Sequence, residues 1–309
     1  MPIIKYRKIF YLISGFLLLG SLLSISIWGL KPGIDFAGGS LLSVSFEEKV
    51  PESRWVINTL EGLNLGEVSV RSGEDGFIIR TREISQSDKD RILIALAATQ
   101  EYRPIEKNFS SIGPVLGKEA VYKSWVSIVL VLLAIVLFIA FAFRKISAST
   151  TNGLNRNNKL SSWIYGLVTI FALLHDVLIP TGVFAVLGRF AGFEVDTLFV
   201  TALLVILGFS VHDTIVVFDR VRENLLKNEE YKEGKDFETV VGESVSQTLV
   251  RSINTSLTTL LSITVLYFFG PESVQNFSLT LLIGVAIGTY SSIFIGSPLL
   301  VTINSWKRG

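Results

Sequence analysis

Residues 197–218 read TLFVTALLVILGFSVHDTIVVF. The run carries only two ionisable side chains, His212 and Asp213. It is long enough for one helical crossing of a bilayer, which takes ~20 mostly apolar residues because hydrocarbon offers no water to an open backbone. Five more stretches of this kind lie around it, at Ile9–Leu30, Trp125–Phe143, Trp163–Leu187, Ile253–Phe269 and Val274–Val301. The fifth in chain order opens on the polar run Ile253-Asn254-Thr255-Ser256. Composition agrees with a membrane chain: mean hydropathy is +0.52 over 309 residues and 18% are charged, against roughly a quarter in soluble proteins. The net charge of +1 gives no reason to expect nucleic acid. With no cysteine, disulfides, thiolate metal sites and cysteine nucleophiles are excluded.

The first stretch follows Lys5, Arg7 and Lys8, and its apolar run exceeds the ~7–15 residues of a signal-peptide core. It reads as an uncut signal-anchor. Basic residues orient the rest. They crowd the N-terminus, the loop after the second span (Arg144, Lys145, Arg156, Lys159), the loop after the fourth (Arg220, Arg222, Lys227, Lys232, Lys235, Arg251) and the tail (Lys307, Arg308). The turns after the third and fifth spans hold only Arg189. Both termini are therefore expected in the cytoplasm. Trp28, Trp125, Trp163 and Trp306 fall at span ends, where an indole meets water on one side and hydrocarbon on the other.

This topology divides the chain into a segment with the first span (1–30), one extracytoplasmic domain (31–122), and five further spans with cytoplasmic loops and tail (123–309). Within the domain, Leu41–Phe46 alternates as a strand and Glu52–Leu63 reads as a helix opened by Pro51. Glu67–Arg71 and Phe77–Glu83 flank a hairpin turn at Ser72-Gly73-Glu74-Asp75-Gly76. Ser87–Thr99 reads as a helix with Ile92, Leu93, Leu96 and Ala97 on one face, and Glu101–Phe109 as the last strand. The order β-α-β-β-α-β predicts an α+β ferredoxin-like domain beside an all-α six-helix bundle. Ser147–Asn158 reads as a flexible loop, and Leu226–Glu238 as a solvated continuation of the fourth span.

Ionisable residues inside a membrane are costly and usually functional. Here they are His175 and Asp176 in the third span and His212 and Asp213 in the fourth, with Arg251 opening the fifth. Arg251, Thr255, Thr258 and Ser262 share one helical face, as do Ser210 and Asp213. Gly208 leaves room for a close neighbour, Gly284 and Gly288 form a small-residue packing face, and Pro180 frees a backbone carbonyl. Two readings follow for Asp213 and Arg251: a proton or cation relay, or a static ion pair pinning two helices. A metal site is disfavoured because adjacent residues on a helix point about 100° apart. An aspartyl dyad of Asp176 and Asp213 lacks the tight glycine frame, and Asp35-Phe36-Ala37-Gly38-Gly39 lacks the Gly-Lys-Ser/Thr of a phosphate loop. No residue pattern calls for a cofactor or a catalytic centre. Inward-facing ionisable groups also call for a second bundle to shield them from lipid.

Several motifs resemble the SecD/SecF family of protein-export membrane proteins, on its SecF side. Gly33-Ile34-Asp35-Phe36-Ala37-Gly38-Gly39 is similar to the glycine-rich signature that opens the family's large loop. Ser111-Ile112-Gly113-Pro114-Val115-Leu116-Gly117 looks like its re-entry motif, and Ala172-Leu173-Leu174-His175-Asp176 like its third-span motif. The segment from Gly208 to Asn224 is close to the fourth-span signature, and Arg251-Ser252-Ile253-Asn254-Thr255-Ser256 to the fifth-span arginine motif. The resemblance implies half of an RND-superfamily assembly in the bacterial cytoplasmic (inner) membrane. It implies SecD as obligate partner, association with the SecYEG channel, with YidC and YajC nearby, and contact with the exported preprotein. It further implies use of the proton or sodium gradient, with ion coupling at Asp213 and Arg251, and Asp176 at a motif position beside them. Asparagine is common in the family where His212 stands. A scaffold subunit that carries no ions, or a small-solute exporter of the same superfamily, are the competing readings.

Overall fold

The computed structural model describes residues 2–47, 49–73, 75–98, 101–142 and 162–306. The polar loop at 147–158 and the basic residues Lys307 and Arg308 lie outside them. The chain divides into two compact units, one of residues 1–30, 127–193 and 198–309, the other of residues 31–126 and 194–197.

Among the described residues, six helices are long and apolar enough to cross a membrane. They are Arg7–Trp28, Pro114–Ala142, Ser162–Ala191, Thr197–Glu230, Phe237–Phe269, and a sixth in which Gln275–Ser291 passes through a π turn, Ser292–Gly296, into Ser297–Trp306. Their ends differ from the apolar runs in a consistent way. The second helix begins at Pro114, ahead of Trp125, because Glu119 and Lys123 pair at 2.8 Å one turn apart and continue the helix in polar form. The fourth runs on to Glu230 as the solvated continuation, laced by Asp219–Arg222 at 2.9 Å and Glu223–Lys227 at 2.7 Å. The fifth begins at Phe237, where Asp236 accepts from the Thr239 amide at 3.3 Å. Arg251 therefore sits well inside that helix instead of opening it. The segment before Ile253 escapes a search for apolar runs because it is amphipathic, burying Phe237, Val240, Val241 and Val245 while Glu238 and Gln247 stay exposed.

Phe237, Val241 and Val245 join Val217, Phe218 and Val221 of the fourth span, Tyr165 and Val168 of the third, and Ile293 and Leu300 of the sixth in one apolar cluster. The third, fourth and sixth spans are the inner ones; the first, second and fifth bury much less of themselves. Small residues let inner helices approach, as expected where lipid provides no hydrophobic drive between helices. A Cβ on Gly182 would lie 2.3 Å from Cβ of Ser21, and the Ser24 hydroxyl donates to the Gly182 carbonyl at 3.0 Å. Gly284 and Gly288 face Ile206 and Ser210. Gly208, by contrast, has no neighbour within 4 Å on the side a Cβ would occupy. Pro180 lies inside an unbroken helix.

The second unit contains β1 (Gly39–Phe46), helix Ser53–Glu61, β2 (Ser69–Ser72), β3 (Gly76–Thr81), helix Gln86–Ala97 and β4 (Pro104–Ile112). The sheet is antiparallel in the order β2-β3-β1-β4, with Leu42 opposite both Ile79 and Phe109. Leu42, Val44, Phe77 and Ile79 pack against Val56, Leu60, Ile92 and Leu96 of the helices. Glu52, one residue after Pro51, is the N-cap of its helix. Ser85 and Asp88 close a reciprocal capping box on the other. Ala97, assigned to the buried face by periodicity, is exposed because the helix ends there. The last strand is shifted three residues onward, starting at Pro104 and carrying on through Ser110 and Ser111 to Ile112.

The two glycine motifs of this unit lie against each other. Gly39 has φ +120°, and a Cβ there would meet the Thr81 carbonyl at 2.7 Å, so only glycine fits. Gly38 abuts Pro114, Gly117 abuts Phe36, and Gly113 faces the Glu83 carboxylate. Asp35 accepts from the Thr197 amide at 3.0 Å and from its hydroxyl, while the Gly33 amide donates to Val195 at 2.7 Å. Arg80 donates to Glu194 at 2.9 Å, so the 194–197 segment is tied to this unit by charge as well as backbone.

Candidate functional site

Two carboxylates lie inside the helical unit. Asp213 is 2% exposed, on the face of the fourth helix that also buries Ser210, Val217 and Phe218. Ser256 of the fifth helix lies near its carboxylate, and Arg251 of the same helix is close enough to act on it through its charge. Thr289 Oγ1 of the sixth helix lies 2.6 Å from Ser256 Oγ, extending the polar contact to a third helix. The Asp213 oxygen Oδ2 is buried with no hydrogen-bond partner, as are the hydroxyls of the neighbouring Thr214 and of Ser252 one turn before Ser256. A buried acceptor left open in this way is costly unless something binds to it.

Asp176 is 0% exposed and fully engaged. His175 Nδ1 lies 2.9 Å from its Oδ1, Ser291 Oγ donates to Oδ2 at 2.7 Å, and Ser210 Oγ donates to the same oxygen. Gly288 makes room for this meeting of third, fourth and sixth helices: a Cβ there would sit 3.2 Å from Ser210 Cβ and 3.6 Å from Asp176 Oδ2. Pro180, four residues on, has no N–H to give the Asp176 carbonyl. The His175 ring stacks on Tyr290 with centroids 6.2 Å apart.

The remaining sites expected from sequence are placed differently. Arg251 and His212 are exposed on the surface of this chain, and among the described ion pairs none joins Asp213 to Arg251. A static pin between those two side chains is therefore not what holds the fourth and fifth helices together. The polar face Arg251, Thr255, Thr258, Ser262 also turns outward, with only Thr255 half-buried. The inward face is Ser244, Thr248, Ser252 and Ser256. Its signal was available as small hydroxyls at strict four-residue spacing, the period of one helix face. Tyr290, Thr289 and Ser291 gave no such signal, since serine and threonine in a membrane helix often bond only to their own backbone. Both carboxylates are shielded from lipid by this chain's own helices; the ionisable groups that need a second bundle are Arg251 and His212. No three potential metal-ligating side chains converge among the described residues. Asp176 and Asp213 have separate hydroxyl partners, unlike a dyad sharing one site.

The chain is similar to known proteins along its whole length. The family described as protein export membrane protein SecD/SecF, C-terminal, matches residues 161–306, which hold every group above, and the SecD/SecF GG motif matches residues 24–50. Protein translocase subunit SecF of Thermobaculum terrenum is 40% identical, over 100% of this chain and 94% of its own length. The SecF subunit of Sebaldella termitidis is 35% identical over 100% and 93%. Among solved structures, SecDF of Thermus thermophilus, described as a translocon-associated membrane protein, matches with TM-score 0.81 and 26% identity, covering 100% of this chain and 39% of that longer one. SecDF in a super-membrane-facing form matches with TM-score 0.64, covering 99% of this chain and 38% of that one. With relatives 40% and 35% identical along its full length and SecD/SecF family models matching both its glycine motif and its C-terminal helices, the chain belongs to the SecF family of protein translocase subunits.

Proposed function

We propose that the chain is the ion-coupled half of a SecD-paired motor that uses the proton or sodium gradient to promote late export of preproteins through SecYEG, with YidC and YajC as further associates. One observation carries the reading: Asp213 is a buried carboxylate whose Oδ2 is unclaimed, with Arg251 of the next helix near enough to act on it through its charge. A proton or a sodium ion would claim that oxygen. Each elementary charge moved across the membrane supplies ~2.3 kcal/mol per 100 mV, enough to bias an element whose two arrangements differ by a few kcal/mol. Arg251 stands ready to offset the carboxylate when the ion leaves, and its exposed position, with that of His212, favours a partner bundle of the kind SecD would supply.

In this reading the unit of residues 31–126 faces away from the cytoplasm and meets the emerging chain. Its strand order, read β4-β1-β3-β2, supports a ferredoxin-like domain. Both termini then lie in the cytoplasm of the inner membrane, and the chain is no enzyme. The test is export of a preprotein by vesicles holding the channel, SecD and this chain. Asp213→Asn or Arg251→Met is expected to abolish gradient-stimulated export in complexes that still assemble. Unchanged export by either variant would instead favour a scaffold, and saturable transport of a small molecule would favour a solute exporter.

A further inference from the structure

The fourth helix, which carries Asp213, starts at Thr197, a residue of the second unit. A helix leaves its first amides without intrahelical acceptors, and the side chain of the residue just ahead usually serves one of them. Asp196 stands at that place. The Thr197 amide nevertheless donates to Asp35 Oδ2 at 3.0 Å, and the Thr197 hydroxyl donates to the same oxygen. Asp35 lies 162 residues earlier in the chain. A carboxylate suits the positive end of a helix dipole, and a hydrogen bond to an ionised acceptor is stronger than a neutral one.

The backbone that presents Asp35 is fixed on both sides. Ahead of it, the Gly33 amide donates to the Val195 carbonyl at 2.7 Å and the Val195 amide to the Lys31 carbonyl at 2.9 Å. A Cβ on Gly33 would lie 3.2 Å from that Val195 oxygen, so a larger residue would press the two strands apart. Behind it, a Cβ on Gly38 would meet Pro114 at 3.0 Å, and one on Gly117 would meet the Phe36 carbonyl at 2.8 Å. A second strap comes from β3: Arg80 donates to Glu194 Oε1 at 2.9 Å and to the Pro32 carbonyl at 3.0 Å, with Lys31 Nζ 3.4 Å from the same Glu194 oxygen.

The two backbone bonds would be enough to seat residues 194–196. Asp35 goes further and holds the helix itself by its first residue. Rigid elements joined by hydrogen bonds of this kind are what carry a displacement from one site to another. We infer that Asp35, secured by the Arg80 strap, is a positioning residue that grips the start of the Asp213 helix, so that displacement of that helix on ion binding drives the unit that meets the exported chain. The inference rests on the gradient-driven reading above.

The experiment follows ion uptake and gradient-stimulated preprotein export in the same vesicles, which hold the channel, SecD and this chain. Thr197→Pro removes both donors to Asp35, yet proline is favoured at the first position of a helix, so the helix is kept. Asp35→Ala and Thr197→Pro are each expected to leave uptake within about twofold of wild type and to lower export about tenfold or more, the size of a lost charge-assisted hydrogen bond. Asp35→Asn retains an acceptor, and its export is expected to fall by no more than about fivefold. A merely structural contact would lower uptake and export together. That joint loss in Thr197→Pro overturns the inference, as does wild-type export by it, whether or not Asp35→Ala assembles. Failure of Thr197→Pro to assemble overturns it as well, because the contact would then serve folding. Wild-type uptake by Asp213→Asn is the distinct result that removes the reading beneath it.

Discussion

At the scale of single residues, glycine and serine decide more than the charged groups that attract attention first. Gly182 lets the first and third helices touch at Ser21, where a Cβ would fall 2.3 Å from its neighbour. Both sides of that contact are helix, so little can yield. Gly182→Val is expected to cost ~1–3 kcal/mol or more through overpacking, read as a lower unfolding temperature of the purified protein. Gly39→Ala combines a left-handed φ with a clash against the Thr81 carbonyl and is expected to cost ~1–3 kcal/mol, concentrated in the unit of residues 31–126. Neither cost depends on ion chemistry, so export should fall only in proportion to folded protein. Asp213 behaves oppositely: replacing it should leave unfolding temperature nearly unchanged and remove coupling.

The elements explain which parts of this architecture could be read directly. The six spans follow from hydropathy because an apolar run of sufficient length has no stable alternative to a membrane helix. The hairpin at Ser72–Gly76 and the helix holding Ile92 and Leu96 follow from turn chemistry and period. Helix ends were less legible. Phe237–Ser252 is amphipathic, and its membership in the fifth helix depends on Val217, Phe218 and Val221 receiving its apolar side. The same neighbours explain why Ser252 and Ser256 face inward and Arg251 outward, a choice that no local pattern fixes. At the site, the four His and Asp side chains were legible as rare intramembrane ionisable groups. Their hydroxyl partners on the sixth helix were not, because which serines meet Asp176 is set by the close approach at Gly288.

The helix Gln86–Ala97 offers a prediction at this scale. Its capping box is built by Ser85 and Asp88, and Ser85→Ala should cost ~1 kcal/mol, measured as faster amide exchange at that helix. Hydrogen bonds from Ser85 hold the Asp88 carboxyl below its ordinary value of 3.8. A depressed folded pKa means that this contribution is present above 3.8 and disappears as pH falls through the lower folded value. Corrected protection of the helix should therefore drop only in that acid range, and Asp88→Asn should flatten the dependence.

At the scale of the whole molecule, the outward polar face of the fifth helix is the feature least compatible with lipid. Arg251, Asn254, Thr258 and Ser262 are exposed along a span whose surroundings would otherwise be hydrocarbon. A partner bundle covering that face is the expectation. With no native cysteine to interfere, single-cysteine variants can test it. Thr258→Cys should cross-link to a cysteine-bearing SecD in membranes, whereas Ser252→Cys, buried in this chain, should not.

Everything in the functional account turns on Asp213 accepting an ion at its open oxygen. The most direct measurement is ion uptake by sealed vesicles of the complete complex after a sudden proton or sodium step, with Asp213 intact and with Asp213→Asn. Uptake by the first and none by the second, at equal amounts of assembled complex, is the predicted result. Equal uptake by both would contradict it.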